Sequence, residues 1–216
     1  MTLRILLADD HRMILDGLRS LIDHEADMQV VAESTNGEDA CSLWDEKKPD
    51  VAIMDVSMPV LNGIDAMRRM LAGRKEGRVV ALSMHSDPRY VREALKAGAR
   101  GYILKESAFG ELICAIRDVS AGRLFLSASL GASLMEEFVV LLRQGGETRP
   151  ERLSSRERQV LQRLAEGRST KEIAADLHLS IKTIETHRSQ IMHKLDLHSI
   201  AELTKYAIRE GLTSLD

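Results

Sequence analysis

Five short runs rich in valine, isoleucine and leucine constrain this chain more than any other feature: Arg4–Ala8, Met28–Ala32, Val51–Met54, Val79–Leu82 and Gly101–Leu104. Each is bounded by polar residues and reads as a strand buried on both faces. The stretches between them carry helical patterns. Ile14, Leu18, Leu21 and Ile22 recur at i, i+4, i+7 and i+8. Asp87-Pro88 offers an N-cap followed by proline at the first helical position, and Gly98 offers the stop. Strands that alternate with helices build a parallel sheet covered on both sides. The pattern predicts a five-stranded, doubly wound α/β domain over residues 1–122.

Beyond Gly122 the pattern changes. A helix is expected over Leu130–Leu142, and Gln144–Pro150 is polar, glycine-bearing and closed by proline, as linkers are. Residues 123–150 are therefore assigned to a helix and linker. After them no strand pattern remains. Ser154, Ser169 and Ser199 are each followed three residues later by Glu157, Glu172 and Glu202. Each pair can satisfy the free N–H groups of a helix start in a capping box. With Ser180 as a further N-cap, four helices are expected, about 155–166, 170–177, 181–195 and 200–210. Gly167 and Gly211 stand where the first and last should stop. Residues 151–216 thus predict a small all-α domain.

Two small domains suit a chain of 216 residues, 44% hydrophobic and 29% charged. Cys41 and Cys114 have no histidine or cysteine at zinc spacing, imply no disulfide framework, and are expected as small core residues on helices. The apolar start, Met1–Ala8, is too short for a signal peptide, and no run approaches membrane-spanning length, so a cytoplasmic location is expected. Net charge is −3, which announces no nucleic-acid partner. From Pro150 onward 11 Lys/Arg face 10 Asp/Glu, a weak asymmetry of the right sign for DNA.

The informative polar residues of the first domain stand at strand ends. Asp9 and Asp10 close the first strand, Asp55 the third, Ser83 the fourth and Lys105 the fifth. In an open parallel sheet these ends share one edge, where ligands bind. Carboxylates that converge there are best tolerated around a hard divalent cation such as Mg2+. A carboxylate can also attack phosphorus to give an acyl phosphate, with a lysine and a hydroxyl to receive the phosphoryl oxygens.

Asp9-Asp10, then Asp55 followed by Met58-Pro59 and Asn62-Gly63, then Ser83, then Gly101-Tyr102 ahead of Lys105, resemble the receiver domain of two-component response regulators, a flavodoxin-like fold. The resemblance implies that Asp55 is the phosphoacceptor. Asp9, Asp10, Asp55 and the backbone carbonyl of Ser57 would hold Mg2+. Lys105 would pair with the phosphoryl group, Ser83 would hydrogen-bond it, and Tyr102 would be the aromatic switch, repacking inward. Aspartyl phosphatases of the haloacid dehalogenase type also use an aspartate with Mg2+, but their paired aspartates lie two residues apart on the first strand. Here the pair is adjacent and position 11 is His11, which disfavours that enzyme class.

In the second domain, Ile173, Ala174, Leu177, Leu179 and Ile184 leave a turn, His178–Ser180, between two helices. That spacing fits a helix-turn-helix, whose second helix enters the major groove. Histidine stands where glycine is usual and tolerates the left-handed conformation better than a branched residue. Ile184, Ile191 and Leu195 share the inward face. Lys182, Thr183, Glu185, Thr186, Arg188, Ser189 and Lys194 are the expected DNA-contacting set. His178, His187, His193 and His198 lack partners at ligand spacing and are read as solvated or packing residues. Leu153–Val160, Thr170–Ala174, Lys182–Ile184, His187-Arg188 and Lys194-Leu195 resemble the LuxR-type DNA-binding domain, and the domain order resembles NarL/FixJ regulators. The resemblance implies a sensor histidine kinase as phosphodonor and double-stranded promoter DNA as target. It also implies receiver packing against the DNA-binding domain before phosphorylation, and a homodimer on paired half-sites after it. A receiver-controlled protein-binding module is the alternative.

Overall fold

The structure is a computed structural model and describes residues 2–74, 76–131, 153–195 and 197–213. They fall into two compact units, within Met1–Gly146 and Glu147–Asp216. The expected helix beyond Leu130 and the linker at 144–150 lie outside the described residues.

The first unit alternates strand and helix as the apolar pattern requires: β1 (Leu3–Ala8), α1 (Arg12–Asp23), β2 (Met28–Ser34), α2 (Gly37–Lys47), β3 (Val51–Asp55), α3 (Gly63–Gly73), β4 (Val79–Ser83), α4 (Pro88–Lys96), β5 (Gly101–Leu104), α5 (Ala108–Ser120) and β6 (Phe125–Leu126). All pairings are parallel, in the order β2-β1-β3-β4-β5-β6. The central strands are buried along their whole length because helices cover both faces. Leu15, Leu18 and Ile22 of α1 pack with Leu112 and Ile116 of α5 on one side. Trp44, Met67, Met70, Tyr90 and Val91 from α2, α3 and α4 fill the other. Each fully buried large apolar side chain contributes about 1.5–3 kcal/mol.

Three expectations are corrected here. The sheet has six strands rather than five. Gly122 does end α5, with φ +81, yet Phe125–Leu126 then pairs with β5 and Leu130 is fully buried in the same core, so the unit runs past 122. A two-residue strand has too little alternation to be read from sequence. Cys41 is buried on α2 as expected, whereas Cys114 is exposed on α5. Asp87 caps α4 by accepting from the Arg89 N–H at 2.9 Å, and Gly98 has φ +102.

The second unit contains α6 (Ser155–Ala165), α7 (Thr170–Asp176), α8 (Ile181–Leu195) and α9 (Ile200–Arg209). All three expected capping boxes are formed, at Ser154/Glu157, Ser169/Glu172 and Ser199/Glu202. Gly167 and Gly211 take positive φ where helices stop. Val160, Leu161, Ile173, Ile184, Ile191 and Leu203 form the core. Among the described residues no helix is long and apolar enough to cross a membrane.

Candidate functional site

The parallel topology carries the strand-end residues to one edge of the sheet. Asp9 and Asp10 follow β1, Asp55 is the last residue of β3, and Lys105 follows β5. One oxygen from each of the three aspartates and a ring nitrogen of His11 lie within 4.8 Å of one another. The Lys105 ammonium bridges the buried pair, 2.7 Å from Asp9 Oδ2 and 2.9 Å from Asp55 Oδ2. The other Asp55 oxygen, Oδ1, accepts the Ser57 backbone N–H at 3.1 Å.

Burial pushes the Asp55 carboxyl up to about 7, and the neighbouring Asp9 adds to this; Lys105 and the Ser57 N–H oppose it. Burial also works against the charge on Lys105, but Asp55 and Asp9 outweigh it and hold the ammonium above its ordinary value. One ammonium among three carboxylates leaves the edge short of positive charge. An all-oxygen carboxylate set suits a hard cation such as Mg2+, which restores the balance. The donors present therefore fit that ion.

Close backbone approach after β3 also holds the Asp55 segment in place. The Gly63 N–H donates to the Val56 carbonyl at 2.9 Å. A Cβ at Gly63 would lie 1.8 Å from the Asp55 carbonyl oxygen, so no larger residue fits this approach. Asn62 caps α3 by accepting from the Asp65 N–H at 2.9 Å. Between them and Asp55, Val60 is left-handed at φ +68, an uncommon state for a β-branched residue.

Ser83 is 1% exposed at the end of β4 and accepts the His85 N–H at 3.0 Å. It stands one step beyond Leu82, the register partner of Asp55. Tyr102 is fully buried and its hydroxyl donates to the His85 carbonyl at 2.8 Å. The inward repacking expected of Tyr102 thus starts from a side chain that is buried in this structure. His85 stacks on Tyr90, with ring centroids 4.1 Å apart. His11 stands outside the expected site residues. Its backbone N–H donates to Asp9 Oδ1 at 2.9 Å, and its Nδ1 lies 2.8 Å from Asp10 Oδ1. Adjacency to the aspartate pair was the available signal.

In the helical unit, α7 and α8 enclose the expected turn. Leu177 ends α7, His178 is left-handed at φ +52, and the Leu179 N–H donates to the Ala174 carbonyl at 2.9 Å. Ser180 caps α8 by accepting the Thr183 N–H at 3.1 Å. Ile184, Ile191 and Leu195 face the core. Lys182, Glu185, Thr186 and Ser189 are exposed, while Thr183 and Arg188 are half-buried. Lys194 stands apart from the expected set. Its exposed ammonium pairs with the carboxylate of the buried Glu157, 2.7 Å from Oε1 and 2.8 Å from Oε2. The pair spans 37 residues and has no local signature. Glu157 meanwhile accepts the Ser154 N–H at 2.7 Å in its capping box.

A carboxylate–lysine edge on a doubly wound sheet, joined to a helix-turn-helix, defines a phosphorylation-type receiver with a DNA-reading unit. Comparison agrees. Residues 5–117 match the family described as the response regulator receiver domain. Residues 151–207 match bacterial regulatory proteins of the luxR family. The chain is 38% identical over 214 residues to the oxygen regulatory protein NreC of Staphylococcus aureus, covering 97% of this chain and 99% of that one. A LuxR-family response regulator from Aurantimonas sp. SI85-9A1 superimposes with TM-score 0.62 at 35% identity over 64% of this chain and 99% of that one. The response regulator RcsB, in a complex with DNA, gives 0.59 at 26% identity, covering 95% and 98%. The chain belongs to the two-component response regulators that join a receiver domain to a LuxR-type DNA-binding domain. This is a family of transcription regulators rather than of enzymes, and the hydrolase and protein-binding alternatives fall away.

Proposed function

We propose that Asp55 accepts a phosphoryl group from the phosphohistidine of a sensor kinase, and that this controls binding to promoter DNA. The observation that carries the reading is the Lys105 ammonium, 2.9 Å from Asp55 and 2.7 Å from Asp9, with Asp10 beside them. The ionised Asp55 oxygen attacks phosphorus, the bond from phosphorus to the histidine nitrogen breaks, and the nitrogen keeps its electron pair. Lys105 receives a phosphoryl oxygen in place of a carboxylate contact, and the Ser83 hydroxyl donates to another. Asp9, Asp10, Asp55 and the Ser57 carbonyl are the residues that would hold Mg2+. That ion supplies positive charge to the transferring group. The same residues catalyse slow return of the phosphoryl group to water, the only chemistry assigned to the chain.

The new charge of roughly −1.5 to −2, by analogy with side-chain phosphates, acts on Ser83, Lys105 and Tyr102, the residues through which the receiver reports its state. On α8, Glu185, Thr186 and Ser189 are placed to read base edges, and Lys182, Thr183 and Arg188 to hold phosphates. RcsB is described both as a DNA complex and as dimers on DNA. By that likeness the phosphorylated protein here is a homodimer on paired half-sites, acting in the cytoplasm where kinase and promoter meet. In operational terms the receiver occupies 1–122 with the β6 extension, the connecting segment ends at 150, and the DNA-binding domain fills 151–216.

The test is incubation of the full chain with acetyl phosphate and Mg2+, followed by intact mass and retention on random DNA fragments. The wild type should gain one phosphoryl group and bind selected DNA about tenfold more tightly. Asp55→Ala should do neither. Continued labelling of Asp55→Ala removes that residue from its role.

A further inference from the structure

The segment that leaves the receiver is stitched to the strand that presents Lys105. The Phe125 N–H donates to the Arg100 carbonyl at 3.0 Å, and the Ser127 N–H to the Tyr102 carbonyl at 2.9 Å. The ladder then runs out of backbone, and a side chain continues it. The Leu104 N–H, one residue before Lys105, donates to the Ser127 hydroxyl at 3.1 Å. That hydroxyl donates its own proton to the Glu111 carboxylate of α5. The second Glu111 oxygen accepts the Ala128 N–H at 3.3 Å. Ser127 is 2% exposed, and Leu130 beyond it is fully buried among the residues that also contain Tyr102 and Leu104.

A hydroxyl suits this place because it must accept from an amide and donate to a carboxylate at once. Alanine does neither and leaves the Leu104 N–H buried without a partner. The peptide that loses its anchor joins Ile103 to Leu104, directly ahead of Lys105 on the same strand end. We infer that Ser127, held by Glu111, is a positioning residue for Lys105. The exit segment of the receiver thereby sets the geometry of the phosphoryl site from outside it. The inference rests on the proposed role of Asp55 and Lys105. A misplacement of about 1 Å at a reacting centre is enough to cost up to about a hundredfold in rate.

The experiment is a double-mutant cycle on the full chain, with acetyl phosphate and Mg2+ as the probe and the initial rate of Asp55 labelling as the readout. Ser127→Ala should slow labelling about tenfold, within the range that such a misplacement allows. Ser127→Thr, which keeps both hydrogen bonds, should label at the wild-type rate. In a Lys105→Ala background, Ser127→Ala should change the rate less than about twofold, because the group it positions is gone. Equal slowing in both backgrounds overturns the inference and assigns Ser127 a purely structural part. So does a Ser127→Ala protein that labels like the wild type. Should Ser127→Ala fail to fold, Glu111→Ala carries the same cycle, with a smaller expected effect in the same direction and the same two overturning results. Failure of the wild type to label at Asp55 refutes the proposed function instead, and the two failures are thus distinct.

Discussion

The carboxylate–lysine edge and the outward face of α8 are built in opposite ways. The first is buried, and its residues come from β1, β3 and β5, so the whole sheet must form before it exists. The second lies along a single helix, is mostly exposed, and needs only that α8 be held by its inward face. A convergent buried site perturbs its own ionisation, as the Asp55 carboxyl shows. It also tolerates little change in backbone. An exposed local face is insulated from folding energetics, so its residues are replaceable one at a time.

The sharpest way to break this contrast is Gly63→Ala. With the added carbon 1.8 Å from the Asp55 carbonyl oxygen, the loop must shift, and stability should fall by about 3 kcal/mol in urea titration. Labelling at Asp55 should fall with it. A neutral result would mean that the edge is as forgiving as the helix.

Next in size is a pH effect. The Asp55 carboxyl is raised from 3.8 to about 7, so between those values the metal-free fold holds a proton that the unfolded chain has released. Metal-free stability should therefore decline as pH rises through that window. Mg2+ needs the ionised form, so its affinity should be level above pH 7 and weaken about tenfold per unit below it. Calorimetric titration at several pH values reads both the slope and its onset. A flat profile between pH 5 and pH 8 would place Asp55 in a solvated setting like that of α8.

Smaller again is Val60→Gly. Relief of a β-branched residue at φ +68 should raise stability by about 0.5–1 kcal/mol after the entropy lost by glycine. On α8 the stability effects should be smallest. Lys182→Ala should leave stability within about 0.5 kcal/mol and lower the salt slope of DNA binding by about 0.9. Glu185→Ala with Thr186→Ala should redirect base preference without weakening binding to all sequences. If that pair leaves preference untouched, the outward face has been assigned wrongly.

The contrast also explains what could be read in advance. Capping serines, stop glycines, buried runs and strand-end aspartates are local or periodic, and they announced most elements and the meeting of aspartates and lysine at one sheet edge. What escaped is tertiary. β6 is two residues long, and it pairs with β5 next to the point where Ser127 meets Glu111 and Leu104. Lys194 looked like a free cation because Glu157 lies far away in the chain. The placement of His11 against Asp9 and Asp10 depends on how the chain turns after β1. In each case the deciding partner belongs to another element, and no pattern on either segment names it.

The grip of Glu157 on Lys194 fastens the far end of α8 to the first turn of α6. The near end, from Lys182 to Ser189, contributes only Thr183, Ile184 and the half-buried His187 and Arg188 to the interior of the unit. A library that varies Lys182, Glu185, Thr186 and Ser189 would thus sample new operators on an unaltered frame. Rewriting what this protein reads should need no repair of how it folds.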